Sequence, residues 1–399
     1  MNTLIHSVRV VSALPAGPAI DLADGWVHLA GGQVRAVGTG DAWRHARDDD
    51  TRVVDGTAEA GPGATLTPGL VDIHNHGGAG CSFDDGLDAV AAAAAAHRAD
   101  GTTRLVASLV SAPVALLRDQ LAAIALACRR LPGILGAHLE GPFLSPLHAG
   151  AHAPEALLRP TPELIDPLLE TGVVRQMTIA PELDGAPAAI ARIVAHGTVV
   201  AIGHTHSDAA TARAAIDAGA TLVTHAFNAM LPLHHRAPGV VGVALADPRV
   251  MLEAIPDGVH LHDDVLGLLL RAAPDRVVLV TDAMAAAACG DGAYRLGGKE
   301  VEVRDGVARL RGSDTIAGST LTLAAGLRHA TAAGIPLPQA VSAATLLPAR
   351  AIRAGSVGAF APGYVADAVL WDGSLNVREV WQDGPSGEGI HPRGRARDV

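Results

Sequence analysis

The sequence predicts an α/β fold, a (β/α)8 TIM-like barrel with a small β-sandwich domain formed by both chain ends, and three observations carry that prediction. Eight short apolar, β-branched runs recur between residues 67 and 282, most of them followed by an Ala-rich helical pattern, which is the βα rhythm of a closed parallel barrel. The segments on either side lose that rhythm and alternate polar with apolar residues between glycine-marked turns, as antiparallel strands do. Five of the eight runs also end in side chains able to ligate a metal, and the C-terminal ends of barrel strands converge on one mouth.

The elements follow in order. Residues 1–66 supply the first part of the small β-domain; in "GWVHLAGGQVRAVG" two alternating runs flank Gly31 and Gly32, a two-residue hairpin signal. The barrel occupies residues 67–356. Its first run, "GLVDI", precedes "DDGLDAVAAAAAAHRAD", a helix that Asp84 or Asp85 would cap. "TTRLVASLV" with "APVALLRDQLAAIALACRR" forms the second unit, and "GILGAHLE", "VVRQMTIAP", "VVAIGH", "TLVTHAF", "MLEAIPDG" and "RVVLVTD" supply the remaining strands. A Gly-rich insertion at about 289–318 reads as a further hairpin, and helical patterns near 321–333 and 338–351 complete the barrel. Residues 357–383 turn strand-like again and rejoin the N-terminal strands as the second part of the β-domain. Residues 384–399, "GPSGEGIHPRGRARDV", lack periodicity and read as a disordered tail.

Composition narrows the function. Hydrophobic residues make up 49% of the 399-residue chain, enough for a large core, but aromatics only 3%, so Ala, Val and Leu must fill it. A formal net charge of −11 argues against nucleic acid or an anionic membrane as partner. Cys81, Cys128 and Cys289 are odd in number and far apart, as reduced thiols are. The N-terminus lacks a cationic leader pattern, and "AVAAAAAAHRA" is too short to span a bilayer, so a cytoplasmic protein is expected. Lys299 is the sole lysine and sits in a turn-rich stretch.

The polar strand ends point to chemistry. In "LVDIHNHGGAG", His74 and His76 stand two apart, on one face of a strand. Run three ends in Glu140 ("AHLEGPF"), run five in His204 ("AIGHTH"), run six in His225 ("VTHAFNAM") and run eight in Asp282 ("LVTDAM"). Each alone reads more readily as a structural hydrogen-bonding group, and Asp282 as a helix cap; five at one topological position do not. Imidazole with carboxylate and no thiolate suits Zn²⁺, or divalent Fe, Mn or Co. A catalytic metal keeps a position for water, lowering its pKa toward about 7. Asp282 is the carboxylate placed to take that water's proton and hand it to a leaving amine. The chemistry class is metal-assisted hydrolysis of an amide, an ester or a related bond.

The stretches "PGLVDIHNHG", "HLEGPF" with "GAHAPE", "GHT", "THAFNAM", "HHRAPGVVG", "DGVH", "TDAM" and "IAGSTLTL" run in order from Pro68 to Leu323. With them the chain resembles the amidohydrolase superfamily and, within it, the N-acetylglucosamine-6-phosphate deacetylase family. The resemblance implies hydrolysis of N-acetyl-D-glucosamine 6-phosphate to D-glucosamine 6-phosphate and acetate, with one or two divalent metals per subunit. It implies that Glu140, His204 and His225 hold one metal and His74 and His76 a second, with Glu140 bridging and Asp282, near both, acting as base and then acid. A glutamate bridge fits the remote position of Lys299. By the same resemblance His152 polarises the acetyl carbonyl, Ala151, Asn228 and Ala229 surround the sugar phosphate, and His260 contacts the sugar or phosphate. Ile316, Ala317 and Gly318 would wall the acetyl pocket, and Arg236 would reach the phosphate of a neighbouring subunit across a homodimer interface. "SPLHAGAH" departs from the family, placing His148 near where a basic residue and glycine often precede the histidine. The alternatives are an amidohydrolase acting on another N-acyl sugar, an N-acyl amino acid or a cyclic amide, or a noncatalytic barrel that senses an aminosugar phosphate. "HHRAPG" with "FNAM" favours the phosphosugar, and the retained Asp282 speaks against a sensor.

Overall fold

The computed structural model describes residues 1–382; the tail read at 384–399 lies outside them. Eight parallel strands form the barrel: Leu70–Asn75, Thr102–Val110, Ile134–Glu140, Val174–Ile179, Val199–Ile202, Leu222–Val223, Met251–Ala254 and Val277–Leu279. They correspond one for one to the eight apolar runs. The last strand meets the first through side chains and isolated bridges. Asp282 N–H donates to the His74 carbonyl at 2.9 Å, Asn75 pairs with Ala283, and the Thr281 hydroxyl donates to Asp72 at 2.6 Å. That seam sets His74, His76 and Asp282 side by side.

The helices bury one face each. Val114–Arg130 buries Leu117, Leu121, Ile124 and Ala127, the spacing of a single helical stripe. Leu87–Ala99 buries only Val90, Ala93 and His97, its short side chains letting the helix approach the sheet closely. Its N-cap is Gly86, with φ 93°, so neither Asp84 nor Asp85 caps it. Both lie in a 3-10 turn, Phe83–Asp85, that Ser82 caps instead.

Both chain ends build one seven-stranded sheet. Ala368–Trp371 runs antiparallel to Thr65–Pro68, while Ile20–Ala30 and Gln33–Thr39 form the expected hairpin, with φ of 59° at Gly31 and 76° at Gly32 as a primed turn requires. The insertion after the eighth strand adds more than a hairpin. Gly292–Leu296, Lys299–Arg304 and Val307–Leu310 form a three-stranded antiparallel sheet. Leu296, Val301, Val303 and Ala308 pack with Val110, Met284 and Ala317 beside the barrel mouth.

Small domain and barrel are joined by a buried ion pair. Arg104, on the second barrel strand, donates through Nε at 2.6 Å and Nη2 at 3.0 Å to the two oxygens of Asp367. Both residues are buried, so removing one partner strands the other's charge. Asp367→Ala should therefore cost about 3–5 kcal/mol in denaturant unfolding. A loss under about 1 kcal/mol would show that the junction does not depend on this pair.

Candidate metal centre and active-site cavity

The expected ligand residues meet at the barrel mouth. His74 Nε2 lies 3.2 Å from His76 Nε2. Glu140 stands 3.4 Å from His74 and 3.1 Å from His76, and Asp282 Oδ1 lies 3.4 and 3.3 Å from the same two rings. On its other side Glu140 Oε1 is 3.2 Å from His204 Nε2 and 3.0 Å from His225 Nε2, which are 3.1 Å from each other. All six side chains are buried. Bonds of about 2.0–2.1 Å to a tetrahedral zinc place neighbouring ligand atoms about 3.3 Å apart, and this donor set has that spacing. The residues present fit a divalent metal.

Strain concentrates at the same place. His204, His225 and Asp282 adopt φ values of 47°, 26° and 49°, in the left-handed region, which costs roughly 1–2 kcal/mol per non-glycine residue. Three ligands therefore sit at sharp turns where their strands end, a common cost at functional sites.

Hydrogen bonds to the other ring nitrogen fix which atom faces the centre. His204 Nδ1–H donates to the His148 carbonyl at 2.8 Å, so Nε2 is the nitrogen that faces Glu140 and would ligate a metal. His74 Nδ1–H donates to Glu253 at 2.9 Å with the same result. His152 is opposite in sense. The Ser111 N–H donates to His152 Nδ1 at 3.2 Å, so the neutral ring carries its proton on Nε2, 3.3 Å from Glu140. Burial pushes His152 down to about 4, outweighing the hydrogen bond to Glu140. At neutral pH His152 is thus a donor aimed at the cavity, and a poor ligand.

Without a metal, protons gather where the cation would stand. Burial opposes charge on His76, but hydrogen bonds to Asp282 and Glu140 push it up to about 9. Burial would raise Glu140, yet His74 and the hydrogen bonds from His152, His204 and His225 hold it well below the carboxylate range. Asp282 is held low in the same way, burial being outweighed by His74 and His76.

A cavity of about 430 Å³ opens over this cluster. Ala151, His152, Asn228, Ala229, His260, Ile316 and Gly318 line it with His76, Glu140, His204, His225 and Asp282. His74 is fully buried beneath the floor, and Ala317 is buried behind the wall against Met284. Arg236 lies on an exposed loop and does not line the cavity of its own chain. Among the described residues, no arginine or lysine lines it at all. Burial disfavours charge on His260, but Asp257, 2.7 Å from its Nδ1, outweighs that and raises its pKa.

A polar layer under the centre was missed by the sequence reading. Glu253 accepts from His74, and His138 bridges the hydroxyls of Ser108 at 3.0 Å and Thr178 at 2.8 Å beneath the His74 ring. The available signals were a glutamate inside the apolar run "MLEAI" and a histidine two residues before Glu140, on the same strand face.

The amidohydrolase family model matches residues 65–389. An N-acetylgalactosamine-6-phosphate deacetylase from Escherichia coli is 38% identical over 80% of this chain and 86% of its own. The N-acetylglucosamine-6-phosphate deacetylase from Bos taurus is 37% identical over 84% and 86%. A solved structure, a mutant N-acetyl-D-glucosamine-6-phosphate deacetylase from Mycobacterium smegmatis in complex with N-acetyl-D-glucosamine-6-phosphate, is 42% identical. It superposes with a TM-score of 0.88 over 97% of this chain and 99% of that one.

His76, raised from 6.5 to about 9, binds its proton more tightly in the folded protein than in the unfolded chain. The stability this provides is complete below pH 6.5 and is lost as pH rises to about 9. Chelator-treated protein should therefore lose several degrees of Tm across that window, while protein melted with excess Zn²⁺ should lose little. A metal-free Tm that stays flat there would contradict the protonation assigned to His76.

Proposed function

The chain belongs to the amidohydrolase family, and on that premise we propose that it hydrolyses N-acetyl-D-glucosamine 6-phosphate to D-glucosamine 6-phosphate and acetate. The observation that carries this reading is the pairing across one cavity of a metal-ligand cluster with a neutral imidazole donor, His152. Glu140, His204 and His225 would hold one divalent ion, and His74, His76 and Asp282 a second, with Glu140 touching both. Zn²⁺ is the proposed ion, since the donors are imidazole and carboxylate without thiolate.

When bound, the metal supplies Lewis-acid polarisation and activation of water. The chain's own groups do the rest. His152 Nε2–H donates to the acetyl carbonyl oxygen and to the negative charge that gathers there as water adds. Asp282, held ionised, accepts the proton of the attacking water and returns it to the sugar nitrogen as the C–N bond breaks, so the amine leaves neutral, and the acetic acid formed with it releases its remaining hydroxyl proton to solvent as acetate. Ile316 and Gly318 would wall the acetyl group, with Ala317 packed behind them, while Ala151, Asn228, Ala229 and His260 would surround the sugar phosphate.

A phosphate dianion calls for a fixed cation, yet the lining holds no arginine or lysine. That supports a homodimer in which the partner subunit's Arg236 completes the site. The three free cysteines support a reducing, cytoplasmic location. A second reading, the 4-epimer N-acetyl-D-galactosamine 6-phosphate as substrate, is favoured by the 38% identity to the Escherichia coli deacetylase of that sugar.

Acetate release from both 6-phosphates and from unphosphorylated N-acetylglucosamine, with metal analysis of the same preparation, tests these readings together. The first reading expects kcat/KM highest for the gluco 6-phosphate; a preference for the galacto epimer would install the second, and equal turnover of the unphosphorylated sugar would remove both. Asp282→Asn should lower kcat by roughly 10²–10⁴-fold or more. Activity within tenfold of the parent would take Asp282 out of the mechanism. Arg236→Ala should raise KM for the 6-phosphate strongly and leave slow turnover of the unphosphorylated sugar unchanged. Mixed dimers of Arg236→Ala and Asp282→Asn subunits should regain activity at one site; no recovery in verified mixed dimers would rule out a contribution across the interface.

A further inference from the structure

We infer that Glu253 is a positioning residue that fixes the ring of His74 for metal binding and links the His74–His76 half of the centre to the His225 half; the inference rests on the metal site proposed above. Glu253 lies on the seventh barrel strand, fully buried in the barrel interior, and belongs to neither cluster of potential ligands. A carboxylate buried there is costly unless it is fully hydrogen-bonded. Its partners come from the first strand, the fourth strand and the turn after the sixth. His74 Nδ1 lies 2.9 Å from Oε2, the His225 backbone N–H donates to the same oxygen at 3.2 Å, and Gln176 Nε2–H donates to Oε1 at 3.2 Å. Gln176 is itself fixed by a second donation, to the Ile73 carbonyl, also at 3.2 Å.

The chemistry of that first contact is one-directional. Both Glu253 oxygens already accept, from the His225 N–H and from Gln176, so the carboxylate serves His74 as an acceptor, the ring proton sits on Nδ1, and Nε2 is the nitrogen left for a metal. Were the acceptor absent, nothing in the contacts of Nδ1 would stop the proton from moving to Nε2, which faces Glu140 and Asp282. His76 has no such tether, its Nδ1 being without a hydrogen-bond partner. Within the HxH pair the fixed tautomer therefore belongs to His74 alone. The same Glu253 oxygen also anchors the backbone of His225 at its left-handed turn, so one carboxylate sets a side chain on one half of the centre and a main-chain position on the other. Asp72, the other buried carboxylate of the barrel interior near this seam, bonds Thr281 and Asn75 and no ligand ring.

The test is metal titration of the chelator-stripped full chain, using Zn²⁺ against a chromophoric competitor. The parent protein should bind two equivalents. Glu253→Met, which keeps length but removes the acceptor, should weaken the equivalent that depends on His74 by roughly 10–100-fold, the usual loss when a ligand's outer hydrogen-bond partner goes. Glu253→Gln retains an acceptor without the charge and should fall between Glu253→Met and the parent. A merely structural role would lower both equivalents to the same extent along with the metal-free Tm, whereas the inferred role costs the His74-dependent equivalent more than the one at His225. Two equivalents bound as tightly as in the parent by both variants would overturn the inference, whereas a parent that binds no zinc would overturn the metal site itself. Should Glu253→Met fail to fold, ¹⁵N-histidine NMR of the zinc-loaded parent decides the matter: His74 must show a protonated Nδ1 and an unprotonated Nε2. The reverse tautomer would refute the assignment.

Discussion

Everything at the mouth of this barrel answers to one buried carboxylate. Glu140 is buried at the cavity floor with the Nε2 atoms of five histidines at 3.0–3.4 Å. A buried anion must be compensated, and here the compensation is supplied entirely by imidazoles. Four of these rings can turn a lone pair toward a bound cation, while the fifth, His152, is locked as a donor by the Ser111 amide. The division of labour between binding a metal and polarising a carbonyl thus follows from which nitrogen each ring has already committed elsewhere.

The fold serves that arrangement. Joining the eighth strand to the first through Asp282 N–H and the His74 carbonyl, in place of a regular ladder, brings the HxH pair against Asp282. Beneath them the barrel interior is polar where an ordinary barrel would be filled by branched aliphatic side chains. Gln176 bonds Glu253 there, and Ser108, His138, Thr178 and Thr224 form a hydrogen-bonded chain, so that the ligands rest on a bonded platform. Small side chains on the surrounding helices, such as Ala93 and Ala127, let the outer layer close tightly around it.

How far the sequence could be read depended on the range of the interactions concerned. His74, His204, His225 and Asp282 were legible because an apolar strand ending in a ligand is a local pattern, and barrel geometry brings distant strand ends together. Glu253 passed as one residue of an apolar run, because its meaning lies in contacts with His74 and Gln176, 179 and 77 positions away. The tautomer of His152 could not be seen either, since it is set by a backbone amide 41 residues earlier. The glycines of the insertion suggest a hairpin, but the alternation of "KEVEVR" turns Val301 and Val303 onto a small core and makes room for a third strand. The N-cap position of the Leu87–Ala99 helix is Gly86, because Asp84 and Asp85 belong to the separate 3-10 turn before it.

The central claim is that Glu140 stands between two metal positions and that His152 belongs to neither. An anomalous difference map collected at the zinc edge, from crystals grown with Zn²⁺, tests it directly. The account predicts one peak bounded by Glu140, His204 and His225, and a second bounded by His74, His76 and Asp282, with Glu140 contacting both. A peak ligated by His152 Nε2, or no peak within bonding distance of Glu140, would contradict it.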